Sequence, residues 1–157
     1  MSGSFTGTLT GTGTLLRFHL RRDRWLVLWW SVGIALLYWS QAVGIDGLYA
    51  TQAELDAAAQ SMETNTAMIA MAGPARALNT VGGQVTWQAS AFGALAAGLM
   101  SMFVVGRHTR AEEESGRDEL VRAAPVGRLA PVVATLLTAL VANLAVGAAV
   151  TTSLVAY

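Results

Sequence analysis

The sequence predicts an all-α integral membrane protein with three transmembrane helices, an N-terminal interfacial helix at the membrane surface and a short cytoplasmic helix. Two observations carry this prediction. Of the 157 residues, 54% are apolar and only 13% are charged, and the mean hydropathy is +0.47. Such a composition is too apolar for an ordinary soluble domain of this length. The chain also contains three long runs without a charged residue.

The three uncharged runs predict transmembrane helices at residues 25–44, 88–106 and 129–157. Each run has about the 20 residues that a helix needs to cross a hydrocarbon core of about 30 Å. One charge in the middle of a span would cost roughly 2.5 to 3.5 kcal/mol on insertion scales, so three uncharged runs in a short chain indicate spans. The first run is longer than a signal-peptide core and ends without a clear cleavage site, which favours an uncleaved signal-anchor.

The segments before the first span are predicted to be cytoplasmic. Residues 1–13 are rich in Gly, Ser and Thr and are expected to be a disordered tail. Residues 14–24, TLLRFHLRRDR, place apolar side chains on one helical arc and most arginines opposite, as in a helix lying in the membrane surface. Arg22 falls inside the apolar arc, so a basic flank without a surface helix remains the alternative.

The arginines predict which side of the membrane each segment faces. All ten basic residues are Arg, and nine of them precede the first span or lie between the second and third, in residues 107–128. Only Arg76 lies in the segment at 45–87. By the positive-inside rule, the N-terminus and residues 107–128 face the cytoplasm of a multi-pass plasma membrane protein.

The extracytoplasmic segment at 45–87 is predicted to contain short helices. Thr51 precedes a helix-compatible run, and Glu54 follows three residues later, which is the spacing of a capping box. Residues 64–72 favour a second short helix before Gly73 and Pro74 break it.

The residue types required for catalysis are not combined in any recognisable pattern. There is no Cys, the two histidines lie far apart in basic flanks, and no carboxylate lies inside the predicted spans. His19 and His108 are expected to be isolated interfacial side chains, and the glycine-rich start lacks a P-loop lysine. The sequence therefore predicts no enzyme, metal site or cofactor, and the absence of Lys and of net charge argues against nucleic acid as a partner.

Small and polar residues inside the second and third spans predict helix packing. Gly93 and Ala97 are four residues apart on the second span, and Asn143 and Gly147 are four apart on the third. Small residues let helices approach closely in lipid, and a buried Asn finds a partner on a neighbouring helix. A translocation pathway lined by Asn143 is the alternative.

The segment at 107–128, RHTRAEEESGRDELVRAAPVGR, contains half of the charged residues of the chain. Opposite charges recur four residues apart, as in Glu113 with Arg117, which predicts a short helix that Pro125 and Gly127 end. Such a helix offers either a docking surface for a soluble protein or a solvated face.

The same segment resembles the signature that follows the second span in membrane subunits of ABC-2-type exporters. The matching residues are Glu112, Glu114, Gly116, Glu119, Leu120, Pro125 and Arg128. The chain is also similar to the actinobacterial branch known as polyketide-antibiotic or tetronasin exporters. The runs that carry this similarity are TLLRFHLRRDR and RHTRAEEESGR. Members of that branch have about twelve spans in two related halves, so the chain is expected to be an N-terminal part of such a permease.

The resemblance implies a permease subunit of an ATP-driven exporter of hydrophobic compounds such as polyketide antibiotics or drugs. ATP would be bound by a separate ABC ATP-binding subunit, and residues 107–128 would form the coupling helix on which that subunit docks. The expected partners are that subunit, the remaining permease helices or a second permease copy, the lipid bilayer and a hydrophobic small molecule. The alternative is a small membrane protein that transports nothing and recruits or regulates a cytoplasmic partner.

Overall fold

The computed structural model describes residues 8–74, 76–114, 127 and 129–157, and gives only the backbone at residues 72 and 110–114. The described residues form helices and contain no strand. The helices are α1 (Thr12–Asp46), α2 (Gln52–Glu63), α3 (Thr66–Ala72), α4 (Val81–Glu114) and α5 (Ala130–Val155).

Three of these helices are long and apolar enough to cross a membrane, namely α1, α4 over Val81–Thr109, and α5. The shortest, α5, has 26 residues, which corresponds to about 39 Å at 1.5 Å per residue and exceeds the hydrocarbon thickness. The predicted all-α membrane fold is confirmed. Many large apolar side chains on these helices are exposed, among them Trp29, Leu95 and Leu144, as expected for surfaces that face lipid or further helices.

The first helix differs from its prediction because it is continuous. The sequence favours a surface helix at 14–24 followed by a span at 25–44, whereas α1 runs unbroken over 35 residues. No proline occurs before Pro74, and residues 14–32 contain no glycine, so nothing in the local sequence interrupts the backbone hydrogen bonds. The basic segment and the apolar run are therefore parts of one helix.

The second long helix also exceeds the predicted span of 88–106 at both ends. It begins at Val81, where the hydroxyl of Thr80 accepts a hydrogen bond from the backbone N–H of Gly83 at 3.0 Å. An added Cβ at Gly83 would collide with the carbonyl of Ala77, so glycine is required for this close approach. At the other end, α4 continues through Glu114.

The connection between α1 and α4 contains the two short helices. Thr51 caps α2 by accepting a hydrogen bond from the N–H of Glu54 at 3.3 Å, which is one half of the predicted capping box. The Glu54 carboxylate accepts a hydrogen bond at 2.8 Å from the N–H of Ala50, one residue before the N-cap. Asn65 caps α3 by accepting from the N–H groups of Ala67 and Met68. Gly73 ends α3 with a φ of 82°, a left-handed conformation that glycine adopts without steric cost.

The chain divides into two compact units. The first unit comprises Met1–Trp30 and Ala97–Val146, and the second comprises Ser31–Ala96 and Gly147–Tyr157. The buried side chains of the first unit include Met100, Val104, Ala134 and Ala142 together with several polar groups. Those of the second unit include Ile34, Tyr38, Leu55, Leu78 and Val85.

Candidate functional site

Three helices contribute polar side chains to a buried cluster in the first unit. Helix α1 supplies His19 and Asp23, which lie four residues apart and therefore share one helix face. Helix α4 supplies His108, and α5 supplies Thr138. All four residues are at most 2% exposed. We call these residues the His–Asp cluster.

The central contact of the His–Asp cluster joins α1 to α4. The Nε2 atom of His108 lies 2.5 Å from Oδ2 of Asp23, and both side chains are 0% exposed. The Nε atom of Arg107 lies 3.7 Å from the other carboxylate oxygen, Oδ1, and the Arg107 side chain is 44% exposed. A buried carboxylate needs partners of this kind, because an unpaired charge in a low dielectric is strongly unfavourable.

The two histidines stack on each other. Their ring centroids are 3.7 Å apart, and the ring planes are inclined by 20°. Nδ1 of His19 lies 3.5 Å from the hydroxyl oxygen of Thr138, which donates its own proton to the carbonyl of Ala134 at 2.8 Å. Because that proton is already engaged, the Thr138 oxygen can only accept a hydrogen bond from His19, which requires the tautomer with a proton on Nδ1.

The hydrogen-bond pattern also indicates the tautomer of His108. Since a carboxylate only accepts hydrogen bonds, Nε2 of His108 carries the proton that it donates to Asp23. Nδ1 of His108 is buried and has no hydrogen-bond partner among the described residues, and Oδ1 of Asp23 has only the longer contact with Arg107. One ring nitrogen of His108 is therefore bonded to Asp23, and the other is buried without a partner in the described part of the chain.

This arrangement contradicts the expectation that the two histidines are isolated interfacial side chains. They are buried against each other, and a carboxylate that lies two residues before the predicted first span is buried beside them. The sequence offers one signal of this cluster, the four-residue spacing of His19 and Asp23. The surrounding arginines make the segment resemble a basic flank, so this spacing was not interpreted as a buried site. Within the part of the chain that the structure describes, no three His, Asp or Glu side chains are grouped as metal ligands.

Gly93 marks a close approach of two helices in the second unit. An added Cβ there would overlap the hydroxyl of Tyr38 and would lie 3.0 Å from its Cε2 atom. The Tyr38 hydroxyl donates a hydrogen bond to the carbonyl of Ala89 at 3.3 Å. The ring of Tyr38 on α1 therefore occupies the space that the absent side chain of Gly93 leaves on α4.

Asn143 makes a contact between α5 and α4 in the first unit. Its Nδ2 atom donates to the hydroxyl of Ser101 at 2.8 Å and to the carbonyl of Ala139 within its own helix at 2.8 Å. Ser101 in turn donates to the carbonyl of Ala97 at 2.8 Å. At Gly147, by contrast, an added Cβ would meet nothing within 4 Å.

The residues expected to contact an ATPase lie at the edge of the described structure or beyond it. Glu112 and Glu114 are in the last turn of α4, where only the backbone is described. Gly116, Glu119, Leu120 and Arg128 lie outside the described residues. The coupling role of all six residues stays a prediction.

Comparison with known proteins identifies relatives among efflux permeases. Residues 13–157 match the family described as the multidrug efflux system permease Rv1217c, C-terminal domain. The chain is also 38% identical over 144 residues to the multidrug efflux system permease protein Rv1217c of Mycobacterium tuberculosis (strain ATCC 25618 / H37Rv), an alignment that covers 88% of this chain and 25% of that protein.

These matches bear on two of the sequence predictions. The family description refers to a C-terminal domain, whereas the sequence favours an N-terminal part, so the place of this chain within a longer protein stays a prediction. The polyketide branch is likewise not identified. Nearly the whole chain nevertheless matches, and the chain belongs to the family of the multidrug efflux system permease Rv1217c.

Proposed function

We propose that the chain is part of the membrane subunit of an ATP-driven ABC exporter of hydrophobic compounds. The observation that carries the proposal is the match of residues 13–157 to a multidrug efflux permease family, in a chain with three helices long enough to span a membrane. The polyketide antibiotics of the resembling branch are the substrate class proposed. ATP is bound by a separate subunit, and this chain holds no cofactor.

The proposed orientation places the N-terminus and residues 107–128 in the cytoplasm. Nine of the ten arginines lie in these two segments, and the positive-inside rule favours that side for them. The continuous course of α4 supports a mechanical role. A force applied near Glu114 acts on the same helix that carries His108 and Gly93.

Transport is proposed for an assembly of this chain with further permease helices. The chain spans 25% of the length of the curated relative that it matches, and three helices do not enclose the pathway of an exporter with about twelve spans. The ABC-2 resemblance implies a permease with two related halves. A family model built on the C-terminal half could therefore also match an N-terminal half.

Docking of an ATP-binding subunit on residues 107–128 is tested by charge reversal. The tagged chain is purified in mild detergent from membranes of its source, and an ABC ATP-binding subunit is sought in the purified fraction by mass spectrometry. We expect this subunit to co-purify with the wild type and to be depleted by about tenfold or more in Glu114→Lys/Glu119→Lys, because reversed charges at an interface cost several kcal/mol.

Glu63→Lys is the matched control, since it reverses one exposed carboxylate at the end of α2, in the segment proposed to be extracytoplasmic. It is expected to leave the association unchanged. Equal recovery of the ATP-binding subunit with the wild type and the double variant would contradict docking at these residues. Recovery of a protein that is not an ATPase, lost in the double variant, would instead favour a recruiting or regulatory membrane protein.

A further inference from the structure

We propose that α3 lies in the interface of the lipid bilayer, with the side chains of Met68 and Met71 inserted among the acyl chains. We call these two residues the methionine face. The proposal is independent of the exporter function and of which side of the membrane is cytoplasmic, because it requires only that α4 crosses the bilayer. In the proposed orientation the leaflet concerned is the outer one.

The methionine face is uncharged and exposed. Helix α3 has the sequence TAMIAMA, so none of its residues carries a charge. Met71 is 90% exposed and Met68 is 38% exposed, and residues three apart lie on the same side of a helix. Exposure of such side chains to water is unfavourable. The methionine face is therefore suited to an apolar partner.

The other side of α3 packs within the second unit. Ile69 precedes Met71 by two residues, so it points to the opposite side of the helix, and it is half-buried. Helix α3 also contacts α2. The exposed side chains of α2 include the carboxylates of Glu54, Asp56 and Glu63. The two short helices thus expose opposite chemistry, since α2 is suited to water and α3 to hydrocarbon.

A hydrogen bond indicates the level of α3 relative to the membrane. Nε1 of Trp87 donates at 3.1 Å to the carbonyl of Gly73, the residue that ends α3. Trp87 lies in the second turn of α4 and directly precedes the uncharged run at 88–106. Tryptophan side chains prefer the boundary between lipid headgroups and hydrocarbon. The C-terminal end of α3 is therefore placed at that boundary.

The charge next to α3 fits a lipid partner. Arg76 is the only basic residue of the segment at 45–87, and it follows Gly73 by three residues and is exposed. A guanidinium group binds phosphate oxygens through paired hydrogen bonds, and lipid phosphates lie just outside the hydrocarbon. Methionine is flexible and polarisable, which suits an irregular apolar surface. An apolar face with a cation at its edge matches the layers of a lipid interface.

The proposal can be tested with spin labels, because the chain contains no cysteine. Met71→Cys and Met68→Cys are each labelled with a nitroxide and reconstituted into phosphatidylcholine nanodiscs. Power saturation in EPR then measures how often the label collides with oxygen, which concentrates in hydrocarbon, and with a polar nickel chelate, which stays in water. Gln60→Cys on the exposed side of α2 is the water reference, and Leu95→Cys, 66% exposed on α4, is the lipid reference.

We expect the rate of collision with nickel at Met71→Cys to be about threefold or more below that at Gln60→Cys, because the polar chelate loses hydrogen bonds in the acyl region. The rate of collision with oxygen should exceed that at Gln60→Cys and approach that at Leu95→Cys. Met68→Cys should show the same order with a smaller difference, since Met68 is less exposed.

Two results would overturn the proposal. Equal rates of collision with nickel at Met71→Cys and Gln60→Cys would place the methionine face in water. Low rates with both reagents at Met71→Cys would show that protein, such as a second copy of the chain, covers it. Neither result depends on an ATP-binding subunit, so failure of this proposal is distinguishable from failure of the exporter function.

Discussion

The two units of the chain hold their helices together by different means. In the first unit, buried contacts between helices run through a carboxylate, two imidazoles, a hydroxyl and the amide of Asn143. In the second unit, a contact between two long helices consists of the aromatic ring of Tyr38 packed against Gly93, with one hydrogen bond from the hydroxyl of that ring. Both units contain buried apolar residues.

Because of this difference, the two units should lose stability in response to different kinds of substitution. A polar network in a low dielectric loses stability when one partner is deleted, because the others remain buried and unsatisfied. A close-packed contact without charge loses stability when volume is added, because the neighbouring backbone and ring have no room to yield. Three experiments separate these behaviours.

The largest effect is expected for Asp23→Ala in the first unit. It leaves His108 and His19 buried without their carboxylate, and we expect the free energy of unfolding to fall by about 3 kcal/mol, the lower end for removing one partner of a buried charge pair. Reversible unfolding in mixed detergent micelles measures this loss.

The matched control is Asp56→Ala, whose carboxylate accepts a hydrogen bond from Gln52 on the exposed face of α2. Its effect is expected to stay within about 0.5 kcal/mol. Equal losses for Asp23→Ala and Asp56→Ala would mean that the first unit does not depend on its polar network.

A smaller effect is expected for Gly93→Ala in the second unit. The new methyl group overlaps the Tyr38 hydroxyl, and overpacking of this kind costs about 1 to 3 kcal/mol in the same unfolding measurement. Gly98→Ala is the control, because an added Cβ there meets nothing within 4 Å.

The double variant Tyr38→Phe/Gly93→Ala sharpens the assignment to that pair. Removing the hydroxyl takes away the atom that the methyl group would strike, so part of the loss should be recovered relative to Gly93→Ala. No recovery, or an equal loss in Gly98→Ala, would show that the ring does not occupy the space at Gly93.

The smallest effect is expected for the hydrogen bond between Asn143 and Ser101. A double-mutant cycle with Asn143→Ala and Ser101→Ala should give a coupling energy of about 0.6 kcal/mol, typical of hydrogen bonds between transmembrane helices. Ser153→Ala, combined with Asn143→Ala, is the control pair and should be additive, since Ser153 donates only to Val150 in its own helix. A cycle with no coupling would show that the hydrogen bond between Asn143 and Ser101 does not contribute to the stability of the first unit.

The fold could be predicted largely because hydrophobic length is a local property. Runs of about twenty uncharged residues identify the three spans without knowledge of their neighbours. The helix ends were less predictable. A charged segment next to a span can continue its helix or form an irregular flank, and this ambiguity applies to residues 17–24 and 107–114. Tertiary context and the absence of Pro or Gly let α1 and α4 continue through them.

The candidate site was much less predictable from sequence. Asp23 is separated from His108 by 85 positions, and Thr138 from His19 by 119, so only the folded chain brings them together. Asp23 also stands between Arg22 and Arg24, where a carboxylate normally indicates a solvated segment. The ATPase-coupling residues followed from the family resemblance, and the structure leaves them as predictions.

The separation of Asp23 from its partner has a consequence for the biogenesis of the protein. At about 5 to 20 residues per second, ribosomal synthesis takes roughly 4 to 17 seconds to pass from Asp23 to His108. During that interval the carboxylate lacks its contact with the imidazole of His108, so the start of α1 is expected to remain in the headgroup region with its arginines. The surface helix that the sequence predicts would then correspond to an early stage of synthesis. At that stage His108 has not been made, and its contact with Asp23 does not yet join α4 to α1.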